Sequence, residues 1–150
     1  MKQTPSKPAD PTETAKAEAI TTYKKYWREM ERVYADSRGN SIGLKQYAAG
    51  AALAGATADA TAMHAKGNII TGRVAVVTPT VTKVDIDRKI PNATISSCLD
   101  VTKWTVVDTA TKKPAALPSN RLTRYVVVST VERWPEGWRV IKDEPQGQKC

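Results

Sequence analysis

The sequence predicts an α+β protein in which N-terminal helices pack on one face of an antiparallel sheet. Three observations predict it. Up to Lys66 the apolar residues recur at spacings of three and four or form an Ala-rich run, which is helical patterning. After Gly67 the chain changes to short segments rich in Val, Ile and Thr. Turns, not helical crossovers, connect those segments, which makes neighbouring strands antiparallel.

Residues 1–12 read as a disordered tether, since Pro5, Pro8 and Pro11 punctuate them and no apolar period is present. The opening MKQTPSKPADPTET has no apolar stretch behind its lysines and does not read as a signal peptide. Leaders of this composition often follow a cleaved signal or lipid anchor, so a signal segment upstream of Met1 is expected. Residues 13–150 are expected to form a single α+β domain.

The first helix is predicted to begin after Thr12 or Thr14, either of which can cap it, and to run for about 20 residues. Ala15, Ala19, Tyr23, Tyr26, Trp27, Met30, Val33 and Tyr34 form one aromatic-rich stripe, with Lys24, Lys25, Arg28, Glu29 and Arg32 on much of the other face. Gly39, in Asp36-Ser37-Arg38-Gly39-Asn40, is the expected left-handed cap. A short helical piece at Ser41–Tyr47 and an Ala-rich helix at Ala48–Lys66 follow, with Gly67-Asn68 as the stop. Small side chains make that second helix thin, and Gly50 and Gly55 weaken it.

Ile69–Val77 reads as a strand, interrupted by Pro79 and resumed over Val81–Asp87 as one long bent or bulged strand. Strands are expected at Ala93–Val101 and Trp104–Thr109. The central strand is Leu122–Arg133, closed by a three-residue loop Pro135-Glu136-Gly137 into a last strand from Trp138 to about Asp143.

Composition narrows the function classes. The chain has 150 residues, 41% of them hydrophobic and 25% charged, which is a globular composition with enough length for a core. No apolar run approaches the 18 residues of a membrane-spanning helix. Net charge is +8, from 23 basic and 15 acidic residues, which favours contact with polyanions such as nucleic acid, anionic lipid or cell-wall phosphate polymers. The basic residues are scattered, so a soluble basic surface without a specific partner is the simpler reading.

Helices first, then a bent meander, is an order that resembles the nuclear-transport-factor-2-like superfamily, also called the cystatin-like cone. More narrowly, ATISSCLDVTKW at 93–104, TRYVVVSTVERWPEGWRV at 123–140 and the C-terminal Cys150 resemble small secreted proteins and lipoproteins of Gram-positive bacteria. The resemblance covers about residues 13–150. It implies a strongly bent antiparallel sheet curled around the long helix, a cone-like roll over residues 13–150 with a mouth that can hold a ligand. Members include isomerases, cyclases and dehydratases, and also non-catalytic modules of secretion, conjugation and cell-envelope assemblies, so fold alone does not choose an activity.

In an exported protein the two cysteines, Cys98 and Cys150, suggest a disulfide. With Ala93–Val101, Leu122–Arg133 and Trp138–Asp143 as neighbouring strands, the first and third run in the same direction. The seven residues after Asp143 then double back by one strand's width to reach Cys98. Two cysteines far apart and one histidine supply no metal-ligand spacing, and no cofactor is expected.

The candidate pocket takes Tyr23, Tyr26, Trp27 and Met30 from the first helix, together with His64 and Asp100. Core packing is the simpler role for the aromatic stripe. Enzymatic members of the superfamily use a pocket His or Asp as general base, but Asp59 and His64, five positions apart, do not share a helical face. A partly exposed His64 interacting with the helix C-terminus is the alternative. Asp85, Asp87, Asp100 and Asp108 fall near strand ends or turns, as solvated acids or as partners of nearby lysines. Arg121, Arg124, Arg133, Trp134, Trp138 and Arg139 put cations beside aromatics, a mixture that binds single strands in other proteins. Cross-strand packing of Trp134 on Trp138 is the competing reading.

The expectation is a non-catalytic, extracytoplasmic binding or assembly domain, secreted or lipid-anchored, whose partner is an envelope or secretion-system protein or a cell-wall polyanion. Two alternatives stand beside it: a small-molecule enzyme or carrier using the cone pocket, and a basic nucleic-acid-binding module, the less favoured.

Overall fold

The structure is a computed structural model that describes residues 10–38 and 42–150. Helix α1 spans Pro11–Ala35 and begins earlier than Thr12 or Thr14 would set it. Asp10 is the cap: its Oδ1 accepts the Thr12 N–H at 2.9 Å, and Pro11 takes the first helical position, where a missing N–H costs nothing. Pro11 and Thr12 are therefore helical, not tether, while residues 1–9 lie outside the described residues, as does Gly39, the expected cap. The aromatic stripe from Ala15 to Tyr34 is the buried face of α1.

A short 3-10 turn, Leu44–Gln46, leads to helix α2, Gly50–Ala65. Ala48 and Ala49 are not helical as expected, because the backbone here is bonded to β6. The Val140 N–H donates to the Tyr47 carbonyl at 2.7 Å, and the Ala49 N–H donates to the Val140 carbonyl at 3.0 Å. Gly50 starts α2 with φ +57°, a conformation that favours glycine.

Six strands follow: β1 Asn68–Thr71, β2 Ala75–Asp85, β3 Asn92–Asp100, β4 Thr105–Asp108, β5 Arg124–Trp134 and β6 Gly137–Lys149. All pairings between them are antiparallel, in a four-stranded sheet ordered β2-β3-β5-β6 and a two-stranded sheet β1-β4. Both helices cover the same face of the larger sheet, and both sheets are open. The one long strand expected from Ile69 is thus two strands in different sheets. Gly72 sits at the break with φ +103°, and a Cβ there would collide with the Lys103 carbonyl. The next residues are clamped by α1: Glu31 Oε1 accepts the Val74 N–H at 2.8 Å, and Arg28 Nη2 donates to the Val74 carbonyl at 2.8 Å. Pro79 lies, as expected, in a bulge of an edge strand, between the pairs Val77–Cys98 and Thr80–Ser96.

Strand β5 is central, and its inward residues Val127 and Val131 pack with Ala93, Ile95 and Leu99 of β3 against the α1 stripe. The β5–β6 turn is tighter than expected. Trp134 pairs with Gly137 and Arg133 with Trp138, leaving a two-residue loop, Pro135-Glu136. The two tryptophans consequently point to opposite faces and do not stack on one another. Trp138 is buried, donating to Glu18 Oε2 at 2.9 Å, and the Arg133 guanidinium lies 5.8 Å from its ring centroid.

Cys98 and Cys150 form a disulfide with a Cα separation of 5.9 Å. The path to it differs from the expected doubling back after Asp143. Strand β6 runs on beside β5 to the pair Tyr125–Lys149, after a shift in which Gly147 adopts φ +65°. Cys150 then crosses β5 to reach Cys98, which pairs with Val126 on the sheet face away from the helices. The bridge ties together the two strands that flank the central one.

Candidate functional site

Strand β6 carries the residue around which the site is built. From Trp138 and Val140, both buried, strict alternation would next send Lys142 inward and Asp143 outward. A bulge prevents this. Val131 pairs with Val140, but Thr130 pairs with Lys142, so Ile141 is an extra residue and the phase flips. Asp143 then pairs with the buried Ser129 and faces the helices.

Two hydroxyls meet its carboxylate. Tyr23 Oη donates to Asp143 Oδ1 at 2.8 Å and Ser129 Oγ donates to the same oxygen at 2.7 Å. Burial pushes the Asp143 carboxyl above the usual carboxylate range, and the Ser129, Tyr23 and Tyr26 hydroxyls pull it partly back. Burial, reinforced by the charge of Asp143, pushes the Tyr23 and Tyr26 hydroxyls upward, so both stay protonated donors at neutral pH. The buried indole N–H of Trp27 has no hydrogen-bond partner among the described residues.

Asp143 borders a cavity of about 370 Å³ between the helices and the sheet. That volume lies in the range of small-molecule sites, roughly 300–1,000 Å³. Its aromatic walls are Tyr26, Trp27 and Tyr34 from α1, Trp104 from the loop after β3, and Tyr125 from β5. Trp104 lies edge-on to Tyr34, with centroids 5.7 Å apart, and tilted against Trp27 at 6.2 Å. The opposite wall is α2, and it is the reason that space remains: Ala51, Ala52, Gly55 and Ala56 fall on one helical face and fill almost none of it. Nothing lies within 4 Å of where a Cβ on Gly55 would stand. Asp59 of α2 and Lys142, Glu144 and Pro145 of β6, all exposed, also line it and place its mouth between these two elements.

Of the residues expected in a pocket, Tyr26, Trp27 and Met30 line the cavity. Tyr23 lies behind them on Asp143. His64 stands apart, its Nε2 3.4 Å from the Tyr34 carbonyl near the end of α1. Asp100 is also elsewhere: its Oδ1 accepts the Thr102 N–H and hydroxyl at 2.9 and 2.6 Å, contacts that hold its carboxyl below the usual range. Asp85, Asp100 and Asp108 each accept backbone N–H groups two or three residues on, at separate turns, and do not converge.

The arginines and tryptophans of β5 and β6 do not make one surface. Arg124 pairs with Asp100 at 3.6 Å at the start of β5, with Arg121 near Tyr125 at the same end. Arg133, at the far end of that strand, stacks on Trp138, and Arg139 Nη1 donates to the Trp138 carbonyl at 3.0 Å. Trp134 Nε1 donates to Glu132 at 3.3 Å.

The residues that sequence patterning misses are Asp143, Trp104 and Tyr125, while Asp59, weighed only beside His64, lines the cavity without it. An acid inside the otherwise apolar alternation of the last strand was the available signal for Asp143, but alternation alone points it outward. Among the described residues no group of three or more His, Cys, Asp or Glu side chains has metal-site geometry, and no helix is long and apolar enough to cross a membrane.

No protein-family model and no curated protein matches the sequence. Among solved structures, the chain is similar to the intermembrane space region of chloroplast protein ARC6, with a TM-score of 0.59. The match covers 92% of this chain and 98% of that one at 12% sequence identity, and at that identity it is a likeness of fold.

Proposed function

We propose that this chain is a non-catalytic, extracytoplasmic ligand-binding domain on a nuclear-transport-factor-2-like scaffold, related to small secreted proteins and lipoproteins of Gram-positive bacteria. The cavity at Asp143 carries the reading. It is preformed, aromatic-walled, open at one side and holds a buried carboxylate, the usual build of a small-molecule site. The disulfide supports an oxidising compartment, and the fold shared with an intermembrane space region supports an extracytoplasmic setting. Residues 1–9 would serve as the tether to a membrane or an envelope partner.

A second reading, a small-molecule enzyme, draws on one observation. Burial raises the proton affinity of Asp143, which is how a carboxylate is tuned toward acid–base work. The two readings share the cavity and differ in whether bound ligand is turned over.

A fragment screen by two-dimensional NMR tests the proposal. Shifts confined to the Trp27 and Trp104 indole signals and to the α2 backbone are expected, together with their loss when Gly55→Leu fills the cavity. Fragments that leave those signals unmoved while the protein stays folded would overturn it, and a chemically altered fragment after incubation would favour the enzyme.

A further inference from the structure

We propose that the cavity takes an organic cation, a substituted ammonium group carried on an apolar body. This rests on the reading of the cavity as a ligand site and names what that site selects.

The carboxylate of Asp143 is the first argument. It lies against α1, its hydrogen bonds come from the neutral hydroxyls of Tyr23, Ser129 and Tyr26, and among the described residues it makes no ion pair, although the chain carries 23 basic residues. A buried charge without a partner is costly, and proteins normally supply one. Lys142, adjacent in sequence, does not: it pairs with Thr130, is exposed where it lines the cavity, and makes no ion pair with Asp143. The missing countercharge is the ligand's.

The walls are the second argument. Tyr26, Trp27, Tyr34, Trp104 and Tyr125 surround one space, and aromatic faces attract ammonium groups through their quadrupoles, most strongly where water is excluded. Asp59 and Glu144 add two more acids at the mouth, against Lys142 as the one base of the lining. Three acids to one lysine reverses the sign of a chain whose net charge is +8, so the mouth draws cations from a surface that otherwise repels them. An anionic ligand would meet Asp143 directly, and a neutral one would leave its charge unmatched.

The test titrates the full chain with choline, with its uncharged isostere in which a tert-butyl group replaces trimethylammonium, and with the carboxylate of the same carbon skeleton, following the Trp27 and Trp104 indole signals. Choline is expected to bind at least about tenfold tighter than the isostere, a factor that cation–π and carboxylate contacts supply together. Asp143→Asn is expected to remove most of that preference, and the exposed Asp59→Asn is expected to reduce it less. Equal binding of choline and isostere, tighter binding of the carboxylate, or an unchanged preference in Asp143→Asn would each overturn the inference, and the cavity would remain a ligand site of other specificity. If none of the three probes moves the indole signals, the inference fails. The cavity as a ligand site then stands or falls separately, on the fragment screen.

Discussion

Tyr23 Oη and Asp143 Oδ1 are 2.8 Å apart although 120 residues separate them in the chain. The bond joins the middle of the first helix to the last strand at the carboxylate that borders the cavity. Because burial raises the Asp143 carboxyl above its ordinary value, folding disfavours its charged form. Stability contributed by the protonated group is complete below the unfolded carboxylate range, falls as pH rises from that range to the folded value, and stays at the lower level above it. Asp143→Asn keeps an oxygen to accept from Tyr23 and Ser129 and removes the charge. The variant is expected to melt higher than the parent at pH 7 and to lose this part of the pH dependence, as measured by thermal unfolding across pH 3–8. A lower melting temperature at pH 7 would show that the charged carboxylate is structural.

Gly55 faces the cavity from the middle of α2 with free space around its Cα. Gly55→Ala should stabilise the protein by about 1 kcal/mol through helix propensity alone, measurable by urea denaturation. A destabilised variant would mean that the helix face is packed more closely than the cavity implies.

Glu31 and Arg28 act on Val74 as a strand partner would, one accepting its N–H and the other donating to its carbonyl. Glu31→Ala leaves a buried N–H unpaired and should cost about 1–3 kcal/mol. Glu31→Gln, which retains an accepting oxygen, should cost less. Hydrogen exchange at the Val74 amide is the direct readout, with faster exchange expected in Glu31→Ala only.

The disulfide closes a sequence separation of 52 residues and spans β5. On the chain-entropy account, Cys150→Ser should lower stability by about 4 kcal/mol, seen as a lower denaturation midpoint than the oxidised parent. Non-reducing mass spectrometry of exported protein should find both thiols blocked to alkylation.

Much of this protein follows from local chemistry. The α1 stripe is legible because spacings of three and four among eight apolar residues have one solution, a helix with that face inward. The change of composition at Gly67 marks the start of the strands, and the short connections fix their antiparallel sense. Even Asp10 and Pro11 carry their own signal, since an acid followed by proline is a strong helix start, although the prolines before them draw attention to a tether instead.

Tertiary structure decided the rest, and for a common reason: each point turns on one residue of register. Sequence patterning counts alternate residues and cannot see an inserted one. The extra Ile141, opposite Val131, is what turns Asp143, rather than Lys142, toward the helices. The two-residue turn at Pro135-Glu136 sets Arg133 against Trp138, where a three-residue loop would have paired the tryptophans. The break at Gly72, forced by the passing Lys103 carbonyl, moves β1 into a second sheet with β4, and the loop leading to β4 brings Trp104 against Trp27 and Tyr34. The sequence by itself determined which elements form and which faces they bury. Only the packed structure determined which side chains share the space left between them, because that depends on bulges and close approaches between segments far apart in the chain.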